Sequence, residues 1–316
     1  MPAMAEISVI VPAYNAGATL AATLAALDGQ DLDREFEVVI VDDGSSDETR
    51  AIAERAGGRV RVVTQANAGP GPARNRGAAE ASGELLAFTD ADCAPTTGWL
   101  REGVAALADA DLVQGAVRPD PGARRMPFDR TIWVDGEVAL YETASLFCTR
   151  ELFVRLGGFE DWLGRDVVGK PLAEDVWFGW RARRAGARVR FCERALVHHA
   201  VFRRSAAAYA GERRRLVYFP AIVARIPELR SELLVHRLFL NRRSAAFDLA
   251  LVGLAIASRK RWPALLLAAP YGRELTANSM RWRRRAPIAA AGELAADVVG
   301  AAALIAGSLR ARTPVL

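Results

Sequence analysis

Cysteine is scarce in this chain: Cys93, Cys148 and Cys192 are widely spaced, odd in number and form no Cys-x-x-Cys pair. That argues against a disulfide framework or a thiolate zinc site and points to a reducing compartment. Histidine is equally rare, and two of the three stand together at His198–His199. No Gly-x-Gly-x-x-Gly follows the first apolar run, which disfavours a dinucleotide-dependent oxidoreductase. That run leads into PAYNAG with no lysine, so a magnesium-dependent nucleotidyltransferase acting on sugar phosphates is a runner-up at most. The opening MPAMAEISVI has neither a basic n-region nor a long apolar h-region, and no signal peptide is expected. Nor does any run reach the ~20 apolar residues of a spanning helix without an acid inside it.

What is present suffices for one large core, or a large domain with a smaller one: 316 residues, 51% of them hydrophobic and 25% charged. The formal charge of +5 conceals a division. Residues 1–202 carry 22 Lys/Arg against 30 Asp/Glu, residues 203–285 carry 18 against 5, and the remainder balances. The sequence therefore predicts a domain over 1–203 and an Arg-rich helical region over 204–316. A basic surface of this kind meets nucleic acid, anionic lipid or a phosphorylated acceptor. A basic nucleic-acid-binding protein is the non-enzymatic rival. With no stacking motif or known module in the chain, no nucleic-acid partner is expected.

Through residue 117 short β-branched runs alternate with helix-like stretches. Strands are expected at Ile7–Val11 (stopped by Pro12), Phe36–Val41, Val60–Thr64, Leu85–Phe88 and Leu112–Val117. Helices are expected at Ala18–Leu27, Asp47–Ala56, Gly71–Ala81 and Thr97–Ala108. This alternation predicts an α/β fold, a Rossmann-like, mostly parallel sheet with helices on both faces. Residues 120–173 read as less regular, Glu174–Ala185 as an amphipathic helix and Val189–Cys192 as a strand.

Ligands in such sheets sit beyond the carboxyl ends of the strands, and polar clusters follow the strands here. VVIVDDGSSD ends a strand in Asp42, Asp43 and Gly44, where a carboxylate can accept from a nucleobase or ribose, or simply cap a βα turn. FTDADC places Asp90 and Asp92 at another strand tip, and hard oxygen ligands suit Mg²⁺ or Mn²⁺. NAGPGPARNRG brings Arg74 and Arg76 beside a helix N-terminus, suited to a diphosphate or to a basic surface. Glu174 and Asp175 open a helix beside Trp177; the helix dipole alone explains two acids there, and so does a general base. An imidazole from His198–His199 is placed to complete a metal shell begun by Asp92.

The order of these pieces resembles glycosyltransferase family 2, with its GT-A fold. SVIVPAYN at 8–15, VDDGSSDET at 41–49, NAGPGPARNRG at 67–77 and TDADC at 89–93 follow that family's succession. ETASLFCTRELFVRLGGFED at 142–161 and AEDVWFGWRARRAGARVRF at 173–191 continue it, over roughly residues 6–203. The resemblance implies an inverting, metal-dependent hexosyltransferase-like enzyme moving a sugar from a UDP-, GDP- or dTDP-sugar to an acceptor hydroxyl. A glycan or lipid-linked acceptor in cell-envelope synthesis is implied with it. It assigns Asp43, and with it Asp42, to the base or ribose, and Pro12, Ala13 and Tyr14 to the same pocket. Arg74 goes to the diphosphate. Asp90 and Ala91 go to the donor, Asp92 and His199 to Mg²⁺ or Mn²⁺, and Asp175 to the catalytic base with Glu174 as substitute. Ser145, Gly157, Gly158 and Trp177 fall on the acceptor side. Thr143-Ala-Ser145 departs from the family where relatives often carry an Asn, and Glu160 rather than Asp161 is the acid nearest the Gly-Gly-Phe signature.

Residues 245–257 and 286–308 are apolar stretches flanked by arginines, and Glu293 and Asp297 stand four apart on one helical face. Helices lying on the inner membrane surface are expected, a peripheral contact of a cytoplasmic enzyme. A helical domain packed on the catalytic part, or a homodimer interface, is the other reading of the same stretches.

Overall fold

The computed structural model describes residues 6–163, 172–259 and 262–316, which divide into two compact units. The first comprises 6–123, 131–163 and 172–201; the second comprises 124–130, 202–259 and 262–316.

The first unit is an eight-stranded sheet. In chain order its elements are β1 Ile7–Ala13, α1 Leu20–Asp28, β2 Phe36–Asp42, α2 Thr49–Ala56, β3 Val60–Thr64, α3 Pro70–Glu80, β4 Leu85–Phe88, β5 Cys93–Pro95, α4 Trp99–Ala106, β6 Leu112–Pro119, β7 Leu146–Thr149, α5 Arg150–Leu156, α6 Glu174–Arg184 and β8 Val189–His199. The strand order is β3-β2-β1-β4-β7-β6-β8-β5. β7 and β5 run against their neighbours, so the expected parallel sheet is a mixed one. Its two faces follow from the period of two. Val9, Val11, Val38 and Ile40 pack with Leu20, Leu27, Trp99 and Leu100. On the other face a Cβ added to Gly77 of α3 would lie 2.5 Å from Ile10 and 3.1 Å from Val41, so only glycine lets α3 approach that closely.

Pro12 does not end β1. Pairing with β2 continues through Ala13, whereas pairing with β4 stops at Ile10. The Asp43 N–H donates to the Ala13 carbonyl at 2.8 Å, so odd-numbered residues address β2. Proline's missing donor therefore lies on the side that β4 has already left. β8 runs seven residues past the expected Cys192, because its far end is paired on both sides, by β6 and by β5. β7 and α5 lie in the stretch that read as less regular. Thr149 caps α5, its hydroxyl accepting from the Leu152 N–H at 3.2 Å, and left-handed Gly157 ends it.

Trp99 and Phe147 meet at 4.8 Å between ring centroids, and α4 reaches them through Gly103. A Cβ there would sit 2.2 Å from the Phe147 ring. Gly103→Ala gains up to ~1 kcal/mol of helix propensity but forces apart a fully buried pair, at a cost of ~1–3 kcal/mol or more. Destabilisation wins: thermal denaturation should show a midpoint lower by roughly 2–8 °C.

The second unit is helical: α7 Ala206–Glu212, α8 Phe219–Arg225, α9 Leu229–Glu232, α10 Arg242–Ala257, α11 Ala269–Met280 and α12 Ala286–Ala311, with 3₁₀ turns at Arg213–Tyr218, Trp262–Ala268 and Arg283–Arg285. Asn241 and Ser244 form a reciprocal capping box at the start of α10. Arg243 then reaches Glu293 at 2.8 Å and Asp297 at 2.6 Å, and the Tyr271 hydroxyl donates to Asp297 at 2.8 Å.

Candidate functional site

At the carboxyl ends of β1 and β2 two loops brace each other. Asn15, held at φ 49°, accepts from the Ser46 N–H at 2.9 Å, and its own N–H donates to Ser45 Oγ at 2.9 Å. The N–H of Gly17 donates to Asp47 at 2.9 Å and that of Ala16 to the Thr49 hydroxyl at 2.7 Å. The Thr49 hydroxyl, with backbone N–H groups, holds the Asp47 carboxyl below its ordinary pKa. Asp42 is buried, and its Oδ1 accepts from the Ser45 N–H at 3.1 Å; it caps the turn. Asp43 is buried too and organises the next loop: Oδ1 accepts from Gln65 Nε2 at 2.7 Å and the Ala68 N–H at 2.8 Å, and Oδ2 from the Gly69 N–H at 2.8 Å. A carboxylate oxygen accepts about two donors, so Oδ2, which takes the Gly69 N–H, has room for another. Tyr14 projects outward at 55% exposure beside partly buried Pro12 and buried Ala13.

Gly69 leads directly into α3, and α3 carries Arg74 into the middle of the site. Arg74 is 5% exposed. Its Nη2 donates to Asp90 at 2.7 Å and its Nη1 to Glu174 at 3.1 Å. Burial works against the guanidinium charge, but Asp90 and then Glu174 hold it above the ordinary arginine value. Arg74 thus ties the D-x-D strand tip to the head of α6. Gly71 lets α3 lie against that head, since a Cβ there would be 3.2 Å from Glu174 Cγ.

Asp92 is met by the far end of β8. Cys93 of β5 pairs with His199, the Ala200 N–H donates to the Asp92 carbonyl at 2.9 Å, and His199 Nε2 faces Asp92 Oδ2 at 3.5 Å. His199 Nδ1 lies 2.6 Å from the Ala200 carbonyl. That contact fixes Nδ1–H as the donor and turns the Nε2 lone pair toward the carboxylate. A cation between Nε2 and the carboxylate satisfies both, and so does a proton on Nε2. Cys93 Sγ completes a cluster whose ligand atoms lie within 4.8 Å of one another. Burial, with Asp90 and Asp92 nearby, pushes that thiol well above its ordinary pKa, so the oxygen and imidazole donors are the better ligands, and they suit Mg²⁺ or Mn²⁺.

α6 begins from Ala173, a non-glycine residue at φ 63°, a conformation that costs on the order of 1 kcal/mol and clusters at functional sites. Glu174 is committed to Arg74. Asp175, next to it, has its pKa raised well above the carboxylate range by burial, then by Glu174 and Glu142, with Arg74 opposing. Trp177, two residues on, donates to Glu160 at 2.8 Å and meets Trp162 edge-on at 6.4 Å.

Some residues named from sequence take other places. Ser145 is fully buried; its hydroxyl accepts from the Trp99 indole N–H at 2.9 Å and donates to the Ala195 carbonyl at 2.9 Å. This is a correction: the side chain belongs to the core and not to an acceptor surface. Gly157 and Gly158 both have positive φ and terminate α5. Gly158 packs on Asn75, whose side chain bonds both the N–H and the carbonyl of Phe159. Ala91 is buried and offers its carbonyl to Thr23 at 3.0 Å. Sequence reading passed over Gln65, Asn75 and Gln114. Gln114 Nε2 donates to the carbonyls of Gly115, Glu142 and Ser145. The first two are polar residues beside the glycine-proline loop, a signal that was there to be used; nothing in the sequence around Gln114 distinguishes it.

Residues 8–150 match the model of the family described as "Glycosyl transferase family 2". The chain is 30% identical over 189 residues to Glycosyltransferase AglE of Haloferax volcanii, covering 54% of this chain and 62% of that protein. It is 27% identical over 221 residues to the Pre-mycofactocin glycosyltransferase of Mycobacterium tuberculosis, covering 63% and 43%. The match thus spans less than two thirds of either relative. Among solved structures it resembles the mannosyltransferase PcManGT from Pyrobaculum calidifontis, in complex with GDP-Man and Mn2+, with a TM-score of 0.66 and 25% identity over 95% of this chain and 88% of that one.

Proposed function

We propose that this chain is a glycosyltransferase of the family 2 kind with a GT-A fold, which the family-model match over residues 8–150 and the similarity to known glycosyltransferases support, and that it transfers a sugar from a nucleoside-diphosphate sugar to an acceptor hydroxyl with inversion at the anomeric carbon. The observation that carries the proposal is the junction at α6: Arg74 binds Asp90 and Glu174 at once, and this ties the D-x-D tip to the helix head that holds Asp175. The commitment of Glu174 to Arg74 favours Asp175 over Glu174 as the base.

In this mechanism Asp175 accepts the acceptor's O–H proton as that oxygen bonds the anomeric carbon. The bond from that carbon to the diphosphate oxygen breaks, and its electron pair leaves with the nucleoside diphosphate. Asp92 and His199 would hold a divalent cation, which when bound would supply charge neutralisation for the departing diphosphate. Asp43 orients the nucleoside through Oδ2, and Arg74 positions Asp90. The solved neighbour bound to GDP-Man and Mn2+ is consistent with such a donor and with Mn²⁺ or Mg²⁺. The acceptor class we favour is a cell-envelope glycan or a lipid-linked saccharide. The expected location is the cytoplasmic face of the cell membrane, where the free cysteines Cys93, Cys148 and Cys192 stay reduced.

A thermal-shift panel of UDP-, GDP- and dTDP-sugars with Mn²⁺ or Mg²⁺ tests the donor half. One donor should raise the melting temperature in a metal-dependent way, by an amount corresponding to ~2.7 kcal/mol at a hundredfold excess over its Kd. Asp92→Ala and His199→Ala should each remove the metal-dependent part. A panel in which no nucleotide sugar shifts the wild-type protein defeats the proposal.

A further inference from the structure

In the C-terminal unit the longest helix turns its acids inward and apolar side chains outward. α12 carries two acids, and both face inward: Glu293 and Asp297 are held by Arg243. Its outward positions are apolar, with Ile288, Val298, Ile305 and Leu309 each at least half exposed. A helix meeting water would be rotated the other way. The same holds where α10 meets the Trp262–Ala268 turn. Gly253 allows close contact there, since a Cβ would sit 2.7 Å from the Ala264 carbonyl. Yet Leu251, Val252, Leu254, Trp262 and Leu266 stay exposed, Leu266 at 75%.

We infer that this outer apolar face is seated in the interfacial region of an anionic lipid bilayer. This gives the membrane contact of the proposed enzyme a definite surface. Spanning is disfavoured although α12 is, by length and composition, long and apolar enough to cross a membrane. Its inner face is packed on its own unit: Cβ atoms at Gly292 and Gly307 would collide with the Phe128 ring and the Val217 carbonyl. One free face makes a monotopic contact. Charge decides between lipid and a second copy of this chain. Exposed Arg283, Arg284 and Arg285 stand at one end of α12, and Arg310 stands at the other, with no exposed acid between them. Two copies laid face to face in either direction bring arginines onto arginines, whereas acidic headgroups complement both ends. Exposed Trp262 suits the headgroup level.

The test is co-sedimentation of the full chain with phosphatidylcholine vesicles and with vesicles that also contain phosphatidylglycerol. Binding is expected to the anionic vesicles, and weaker binding at high salt. Leu266→Glu and, separately, Leu309→Glu should each weaken it at least about tenfold, with unchanged melting temperature and unchanged donor-induced shift. Absence of binding to anionic vesicles overturns the inference, as does wild-type binding by both variants. So does a soluble dimer that Leu309→Glu splits while vesicles remain unbound. Vesicle binding needs no donor, so its failure leaves the transferase proposal standing, and failure of the donor panel leaves lipid binding standing.

Discussion

Asp175→Asn should retain donor binding while losing about 10²–10⁴-fold in turnover, the range that general-base assistance contributes. The substitution keeps the side chain's size and its place at the head of α6, but an amide does not take the acceptor's proton. Donor-induced melting shifts with Mn²⁺ should match wild type, because the groups proposed to hold donor and metal are Asp43, Asp92 and His199. Wild-type turnover in this variant would remove Asp175 from the mechanism.

The environment of Asp175 adds a pH signature and a stability signature. Burial, Glu174 and Glu142 raise its pKa well above the ordinary carboxylate value. A base must be deprotonated, so kcat should fall as pH drops through that raised pKa, and the acid limb should vanish in Asp175→Asn. Stability has the opposite sign. A carboxyl whose folded pKa lies above its unfolded one contributes stability that is complete below the unfolded pKa and lost as pH rises through the folded pKa. Once pH has risen through that folded pKa the ionised Asp175 costs stability, and there Asn should raise the melting temperature as it abolishes turnover. Loss of turnover together with a lowered melting temperature would instead mark Asp175 as a structural residue.

The central strands were legible because their signals are local. Val38–Val41 and Val60–Thr64 are apolar runs followed by turn residues, and each lies within one βαβ unit. What the residues alone did not disclose depends on distant partners. β5 is three residues long and exists because β8 comes back to pair with it, and that pairing is also what sets His199 against Asp92. β7 reads LFCT, too short to stand out among the aromatics and prolines around it, and it is a strand because β4 and β6 leave a gap between them. Pro12 looked like a stop because sequence does not reveal on which side of a strand a donor is missed. Ser145 looked accessible for the same kind of reason: its partners, Trp99 and Ala195, are 46 and 50 residues away. The acids at strand tips and at the head of α6 could be picked out without any partner, since buried or clustered carboxylates demand a cation or a donor wherever they occur.

For Arg74 the structure adds a structural role to the expected place near the diphosphate. It is 5% exposed and bonded to Asp90 and Glu174. Arg74→Met keeps much of the volume and removes the charge, leaving buried Glu174 and partly buried Asp90 without their cation. Breaking a buried pair from one side costs about 3–5 kcal/mol, which should lower the melting temperature by roughly 6–20 °C. A surface ligand to phosphate would cost almost nothing in the absence of donor, so the two roles separate before any substrate is added. Lysine should rescue only in part, since a single ammonium does not reproduce the two-pronged reach of the guanidinium. Adding Glu174→Gln to Arg74→Met should recover a portion of the loss by removing one of the stranded charges, a coupling that a double-mutant cycle measures directly. If Arg74→Met melts within a degree or two of wild type and only donor affinity falls, Arg74 is a diphosphate ligand, and the coupling of the D-x-D tip to α6 has to be sought elsewhere.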